Sequence, residues 1–304
     1  MRNFIDIKDF SKEEILKWVE LAIQSKKDHK GVVSKIAENK VLALILEKQS
    51  TRTRLSFDVA IRQLGGSSIV LDMNGTHLGN GNESISDTSK TMSLYVDALV
   101  LRVNNHHSIL EMAESSSIPV INGLSNISHP CQTMAGLMTL IEERKTLENL
   151  NLVWMGPITN VAHSWIEAFN KKLGFSLSIF CPESWQQKYE EKCRKNKISF
   201  SNDKIFFSNI SEDILNNADV IITDTWESMG ERIESKDLSE LENFRVTQKV
   251  MDKTPSKCLF MHCLPANRKQ EVETQVIESS SSRVWQEAEN RLHIQKQILI
   301  GCFS

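Results

Sequence analysis

The chain has 304 residues, 40% hydrophobic and 25% charged, and its 36 Lys+Arg nearly balance 39 Asp+Glu for a formal charge of −3. At roughly 150 residues per domain, that length suggests about two domains. The composition excludes a collagen, a disulfide-built mini-protein, a membrane span and a disordered tail, and offers no global attraction to nucleic acid or an anionic membrane.

In chain order, the start Met1-Arg2-Asn3-Phe4-Ile5-Asp6 carries an early acid and no apolar segment, so neither a secretory signal nor a transit peptide is expected. Short apolar runs predict strands at 41–46, 68–71, 98–103, 119–122, 152–155, 177–180, 220–223 and 259–262. Helical periodicity falls between them, at 52–64, 87–96, 108–114, 132–145, 161–173, 184–195 and 212–216, with a last helix at 283–299. Near-continuous apolar strands alternating with helices indicate parallel sheets covered on both faces. Eight strands also suit a TIM barrel. The charged run Glu142-Glu143-Arg144-Lys145 and the polar stretch after it break the alternation midway. That break favours two α/β domains, at 1–135 and 136–282, joined through a long helix starting near Pro130, with 283–304 packing back on the first. The cysteines at 131, 181, 193, 258, 263 and 302 form no C-x-x-C pair, which suits buried thiols in a reducing compartment. The expected location is the cytoplasm.

Five residues after the first strand, Ser50-Thr51-Arg52-Thr53-Arg54, place three hydroxyls and two guanidiniums at a helix start. Free N–H groups and the helix dipole favour an anion there, and arginine matches phosphate oxygens bidentately. No Walker G-x-x-x-x-G-K-[ST] and no G-x-G-x-x-G is present. Arg102 ends a strand, pointing to the crevice where open α/β sheets bind ligands; a surface arginine is the alternative. In His129-Pro130-Cys131-Gln132, His129 and Gln132 can face one point as donors to a carbonyl oxygen, or act as a cap and a packing residue. Asn160 begins a helix. Asp224, after a strand, either binds an ammonium group or caps a helix, and Ser228-Met229-Gly230 follow it. Cys263 is either a reactive thiol or a buried structural one, and Arg291 is ordinarily a solvated helical charge. One half thus offers an anion site and the other an acid, an amide and a thiol, which suits a cleft taking two substrates.

Together, Ser50 to Arg54, His129 to Gln132 and His262-Cys263-Leu264-Pro265 resemble the motifs of the aspartate/ornithine carbamoyltransferase family. Asp224-Thr225-Trp226-Glu227-Ser228-Met229-Gly230 resembles the loop with which the family's ornithine branch binds ornithine. The aspartate branch lacks that loop and characteristically has His-Pro-Leu-Pro at the position of His262 to Pro265. The similarity runs from the first helix to Glu289-Asn290-Arg291-Leu292-His293.

The resemblance implies an enzyme that moves the carbamoyl group of carbamoyl phosphate to the side-chain amine of L-ornithine, with no metal or cofactor. It also implies a homo-oligomer, a trimer or a multiple of trimers, with shared active sites. By motif, Ser50, Thr51, Arg52, Thr53 and Arg102 would hold the phosphate. His129, Gln132 and Arg291 would take the carbamoyl group beside Cys263 and Leu264, and His77 would reach in from a neighbouring subunit. Asn160, Asp224, Ser228 and Met229 would hold ornithine, and Cys263, with Arg102 and His129, would be catalytic. Gly156-Pro157-Ile158-Thr159-Asn160 stands where the family usually has Gly-Asp-Gly-Asn-Asn, Gly136 where it has Asp, and Asn267 where it has His. The change before Asn160 keeps another amine acceptor, such as putrescine or an N-acylated ornithine, as a rival; a non-catalytic carbamoyl-phosphate-binding paralogue is the second.

Overall fold

A computed structural model describes residues 2–28, 35–47, 50–72, 83–198, 204–227 and 235–304. The chain divides into two compact units, Met1–Met138 with Glu289–Ser304, and Thr139–Ala288. The cuts fall inside two long helices, a few residues beyond the expected 135/136 and 282/283.

The first unit holds α1 (Lys12–Asp28), β1 (Val41–Leu46), α2 (Thr51–Gln63), β2 (Ser67–Asp72), α3 (Ile85–Ser93), β3 (Ala98–Arg102), α4 (His106–Ser115) and β4 (Val120–Leu124). It also takes the first half of α5 (Pro130–Arg144). Its sheet is wholly parallel, in the order β2-β1-β3-β4. β1 reads VLALIL and is buried from its second residue onward, as a strand covered on both faces must be. Ala43, Ile45, Leu99, Leu101 and Val120 form the centre of one core cluster.

The second unit continues with β5 (Asn151–Met155), α6 (Asn160–Asn170), β6 (Ser176–Phe180), α7 (Glu183–Lys195), β7 (Phe206–Phe207), α8 (Glu212–Leu215), β8 (Val220–Thr223), α9 (Ser235–Leu241), α10 (Gln248–Met251), β9 (Leu259–His262) and α11 (Thr274–Ile277). Its sheet is also parallel, in the order β7-β6-β5-β8-β9. Both sheets are open, so the barrel alternative is excluded and the two-domain α/β reading stands.

α12 (Val284–Phe303) begins in the second unit and returns to the first. There Lys26 Nζ of α1 reaches Asn290 at 2.7 Å and Glu289 at 3.0 Å. A Cβ on Gly301 would lie 2.3 Å from the Trp18 ring, so only glycine lets α1 and α12 approach this closely. The helix runs past the expected 299 and ends with Phe303 under Lys40 Nζ, 4.8 Å from the ring centroid.

Patterning does not single out α1, β7 or the short helices α9, α10 and α11. β7 has two residues, and α10 and α11 have four each, too few to show a period. Among the described residues, no helix is long and apolar enough to cross a membrane.

Candidate active site

In an open parallel sheet, ligands bind at the carboxyl ends of the strands, where the strand order reverses. In the first unit that point lies between β1 and β3. Ser50 to Thr53 follow β1, and Arg102 ends β3. Ser50 caps α2, its Oγ accepting the Thr53 N–H at 3.3 Å. Arg102 donates from Nη1 to Thr53 Oγ1 at 3.3 Å. The ladder between β3 and β4 slips at Leu101/Arg102, so that Arg102 pairs with Leu124 rather than Gly123. Such a bulge re-aims a side chain. A Cβ on Gly123 would meet Val100, the Leu101 carbonyl and Thr53 at 3.0 to 3.3 Å, so glycine lets this bulge sit against the start of α2.

Arg291, 159 residues beyond Gln132, joins this site from α12. It is buried, not solvated. Its Nη1 donates to Gln132 Oε1 at 2.6 Å and lies 3.4 Å from His129 Nε2. A guanidinium only donates, so His129 Nε2 is the acceptor in that contact and the ring proton sits on Nδ1. With its oxygen turned to Arg291, Gln132 presents its NH2 end as a donor elsewhere. Burial, followed by the charges of Arg291, Arg102 and Arg52, holds the His129 imidazole well below its ordinary 6.5. The result is an arginine cluster around a neutral imidazole, an arrangement that can hold an anion.

This arrangement predicts a pH dependence. Between pH 6.5 and the depressed native value, the unfolded chain binds a proton at His129 and the folded chain does not. Stability from this group is present above pH 6.5 and falls as pH drops below it, by at most about 1.4 kcal/mol per pH unit. His129→Asn should flatten that slope in denaturant titrations between pH 6.5 and 5; an unchanged slope excludes the buried neutral imidazole.

In the second unit, strand order reverses between β5 and β8. β5 leads through Gly156 to the start of α6, and β8 leads to Asp224. Gly156 has φ +113°, and a Cβ there would lie 3.2 Å from Trp226 Nε1. Asp224 is not a helix cap. Its carboxylate is buried, with Oδ1 accepting from Cys263 Sγ at 2.7 Å and from the Thr225 N–H at 2.7 Å, and Oδ2 accepting from Thr159 Oγ1 at 2.9 Å. Among the described residues it has no ion-pair partner, so this is a carboxylate held by neutral donors and suited to a cation. Thr159 also caps α6. The sequence pattern did not mark Thr159, because its bond to Asp224 spans 65 positions.

Cys263 is half-exposed while the other five cysteines are buried, and burial pushes the thiols of Cys131, Cys181 and Cys302 up to about 12. Next to Cys263, Leu264 adopts φ +55°, and its N–H donates to His262 Nδ1 at 2.9 Å. The other ring nitrogen of His262 faces buried Glu271 at 3.3 Å, which fixes the tautomer and holds the thiol's loop. Glu271 carried no sequence signal. Asn160 is the first residue of α6. His77, Ser228 and Met229 lie outside the described residues.

The profile described as the aspartate/ornithine carbamoyltransferase carbamoyl-P binding domain matches residues 2–142. The matching Asp/Orn binding domain profile covers residues 148–302. An ornithine carbamoyltransferase of Rhizorhabdus wittichii is 39% identical over 311 residues, covering 99% of this chain and 98% of that protein. One from Bradyrhizobium diazoefficiens is 41% identical over 305 residues, covering 99% and 97%. The solved structure of the Pyrococcus furiosus ornithine carbamoyltransferase superposes with a TM-score of 0.86 at 37% identity, covering 98% of this chain and 96% of that one. The open sheets, the arginine cluster around His129 and the buried carboxylate beside a thiol thus occur in a chain that belongs to the aspartate/ornithine carbamoyltransferase family.

Proposed function

We propose that this protein transfers the carbamoyl group of carbamoyl phosphate to the side-chain amine of L-ornithine, giving L-citrulline and phosphate, as a step of cytoplasmic arginine metabolism. The observation that carries the reading is the cluster of Arg52, Arg102 and Arg291 around neutral His129, which matches a phosphate joined to a carbonyl. Ser50, Thr51, Arg52, Thr53 and Arg102 take the phosphate; His129, Gln132 and Arg291 take the carbamoyl oxygen, beside Cys263 and Leu264. Asp224, with Asn160, Ser228 and Met229, holds ornithine, and His77 completes the carbamoyl-phosphate site from a neighbouring subunit.

The chemistry suits these groups. The neutral amine attacks the carbamoyl carbon, and negative charge grows on the carbonyl oxygen. Preorganised donors from Thr53, Arg102, His129 and Gln132 stabilise that charge more than they stabilise the ground state. A neutral histidine is the right form here, because it donates without an acidic proton to lose. The carbon–oxygen bond to phosphate then breaks, and the departing phosphate dianion accepts the amine's proton. Cys263 stands at the reacting centre, its thiol oriented by Asp224.

A homo-oligomer, a trimer or a multiple of trimers, is supported by apolar exposure on the first unit. Leu55 is 55% exposed on α2, Ile69 49% on edge strand β2, and Leu94 and Tyr95 81% and 75% after α3. Such surface on an edge strand is ordinarily covered.

The test is a colorimetric ureido-product assay with carbamoyl phosphate and one acceptor at a time: ornithine, N-acetylornithine, N-succinylornithine, putrescine and aspartate. Ornithine should dominate. A dominant rate with another amine keeps the carbamoyl transfer and reassigns the acceptor. Silence on all five from folded protein that binds carbamoyl phosphate overturns the catalytic reading.

A further inference from the structure

Gln295, on α12 one turn after Arg291, is fully buried. With its carboxamide oxygen toward the guanidinium, the side chain accepts from Arg291 Nη2 at 3.0 Å and from Nε at 3.2 Å. Its nitrogen then donates to Ser56 Oγ at 2.5 Å and to the Arg291 carbonyl at 3.3 Å. Reversing the amide would set oxygen against acceptors and nitrogen against donors, so this orientation follows from its neighbours. Ser56 Oγ in turn donates to the Arg52 carbonyl at 2.6 Å in the first turn of α2.

One path of hydrogen bonds therefore runs from the Arg52 backbone through Ser56 and Gln295 to Arg291, and on to Gln132 and His129. Arg291 is gripped on both sides. Gln295 holds its Nε and Nη2, and Gln132 with His129 holds its Nη1. A long, flexible arginine loses considerable rotamer freedom when it is ordered. A partner that orders it before the ligand arrives removes that cost from binding.

We propose that Gln295 is the positioning residue of the carbamoyl-phosphate site: it presets the Arg291 guanidinium and ties it to the helix that carries the phosphate loop. The proposal rests on the reading of Arg291 as a carbamoyl-phosphate contact. Gln295 touches no substrate in this scheme and acts only through Arg291.

Gln295→Met keeps the length and removes both the acceptor and the donor. Its KM for carbamoyl phosphate should rise about tenfold, as for loss of a hydrogen bond to a charged group. The KM for ornithine and the inhibition constant of inorganic phosphate, a probe of the phosphate end alone, should stay within twofold. A double-mutant cycle with Arg291→Met separates positioning from general structure. In the Arg291→Met background, Gln295→Met should add less than twofold.

A KM for carbamoyl phosphate within twofold of wild type, where Arg291→Met alone is impaired, overturns the proposal. So does a full tenfold effect added on top of Arg291→Met. An Arg291→Met enzyme with normal KM overturns the site reading beneath it, and is recognisable because it needs no Gln295 variant. If Gln295→Met does not fold, Ser56→Ala carries the same test, since alanine favours the helix. The expected KM rise is then two- to threefold, absent in the Arg291→Met background; a rise that persists there counts against the proposal.

Discussion

Replacing Arg52 with alanine should raise the KM for carbamoyl phosphate by about 10- to 150-fold, the equivalent of the ~1.5–3 kcal/mol carried by a charge-assisted hydrogen bond. Arg52 sits in the first turn of α2 behind the Ser50 cap, where the helix dipole and free N–H groups already favour an anion. Its charge is also one of three that suppress protonation of His129. The substitution therefore acts in two measurable ways. It weakens phosphate binding, and it lets the His129 titration move upward, toward 6.5. The ornithine KM, read at saturating carbamoyl phosphate, should stay within threefold. Normal affinity for carbamoyl phosphate in a folded Arg52→Ala enzyme would place the phosphate elsewhere.

Asp224→Asn is expected to act on the other substrate. The carboxylate accepts from Cys263, Thr159 and the Thr225 N–H. An isosteric amide cannot accept at both ends, so either Thr159 or Cys263 loses the carboxylate oxygen as its acceptor. More important, on the proposed reading the ammonium of ornithine would lose the buried negative charge of Asp224. Truncating one member of a buried, hydrogen-bonded charge pair costs about 2–5 kcal/mol, which corresponds to a rise of roughly 30-fold or more in the ornithine KM. Binding of carbamoyl phosphate should be unchanged by direct titration. Equal losses for the two substrates would argue against a division of labour between the two units.

Much of the fold is legible in the sequence because its signals are local. Each of the eight predicted strands is a short apolar run, and each lies within two or three residues of an observed strand. Ser50 to Arg54 stands out as a candidate anion loop because its chemistry is contiguous. The Ser50 cap forms within three residues of itself, so nothing distant is needed to see it. Asp224 and Cys263 could be marked as strand-end residues, but their identities alone left cap and core readings open. Their 2.7 Å contact spans 39 positions, so no local pattern shows it.

The sequence by itself determined the class of architecture, the parallel strands and the run of hydroxyls and guanidiniums at the start of α2, since alternation of period and adjacency of residues are written in neighbouring positions. Strand order was decided only in three dimensions. The sequence does not say that β1 lies between β2 and β3, or that β5 lies between β6 and β8. Those two placements choose the sheet edges at which ligands bind. The same holds for Arg291, Gln295 and Glu271. Each is an ordinary polar residue on its own element and gains a role only on folding: Arg291 and Gln295 meet Gln132 and Ser56 from distant parts of the chain, and Glu271 meets His262 nine residues before it. Burial then supplies the reason each bond must be made, because an unpaired polar group in a closed interior costs more than its pairing contributes.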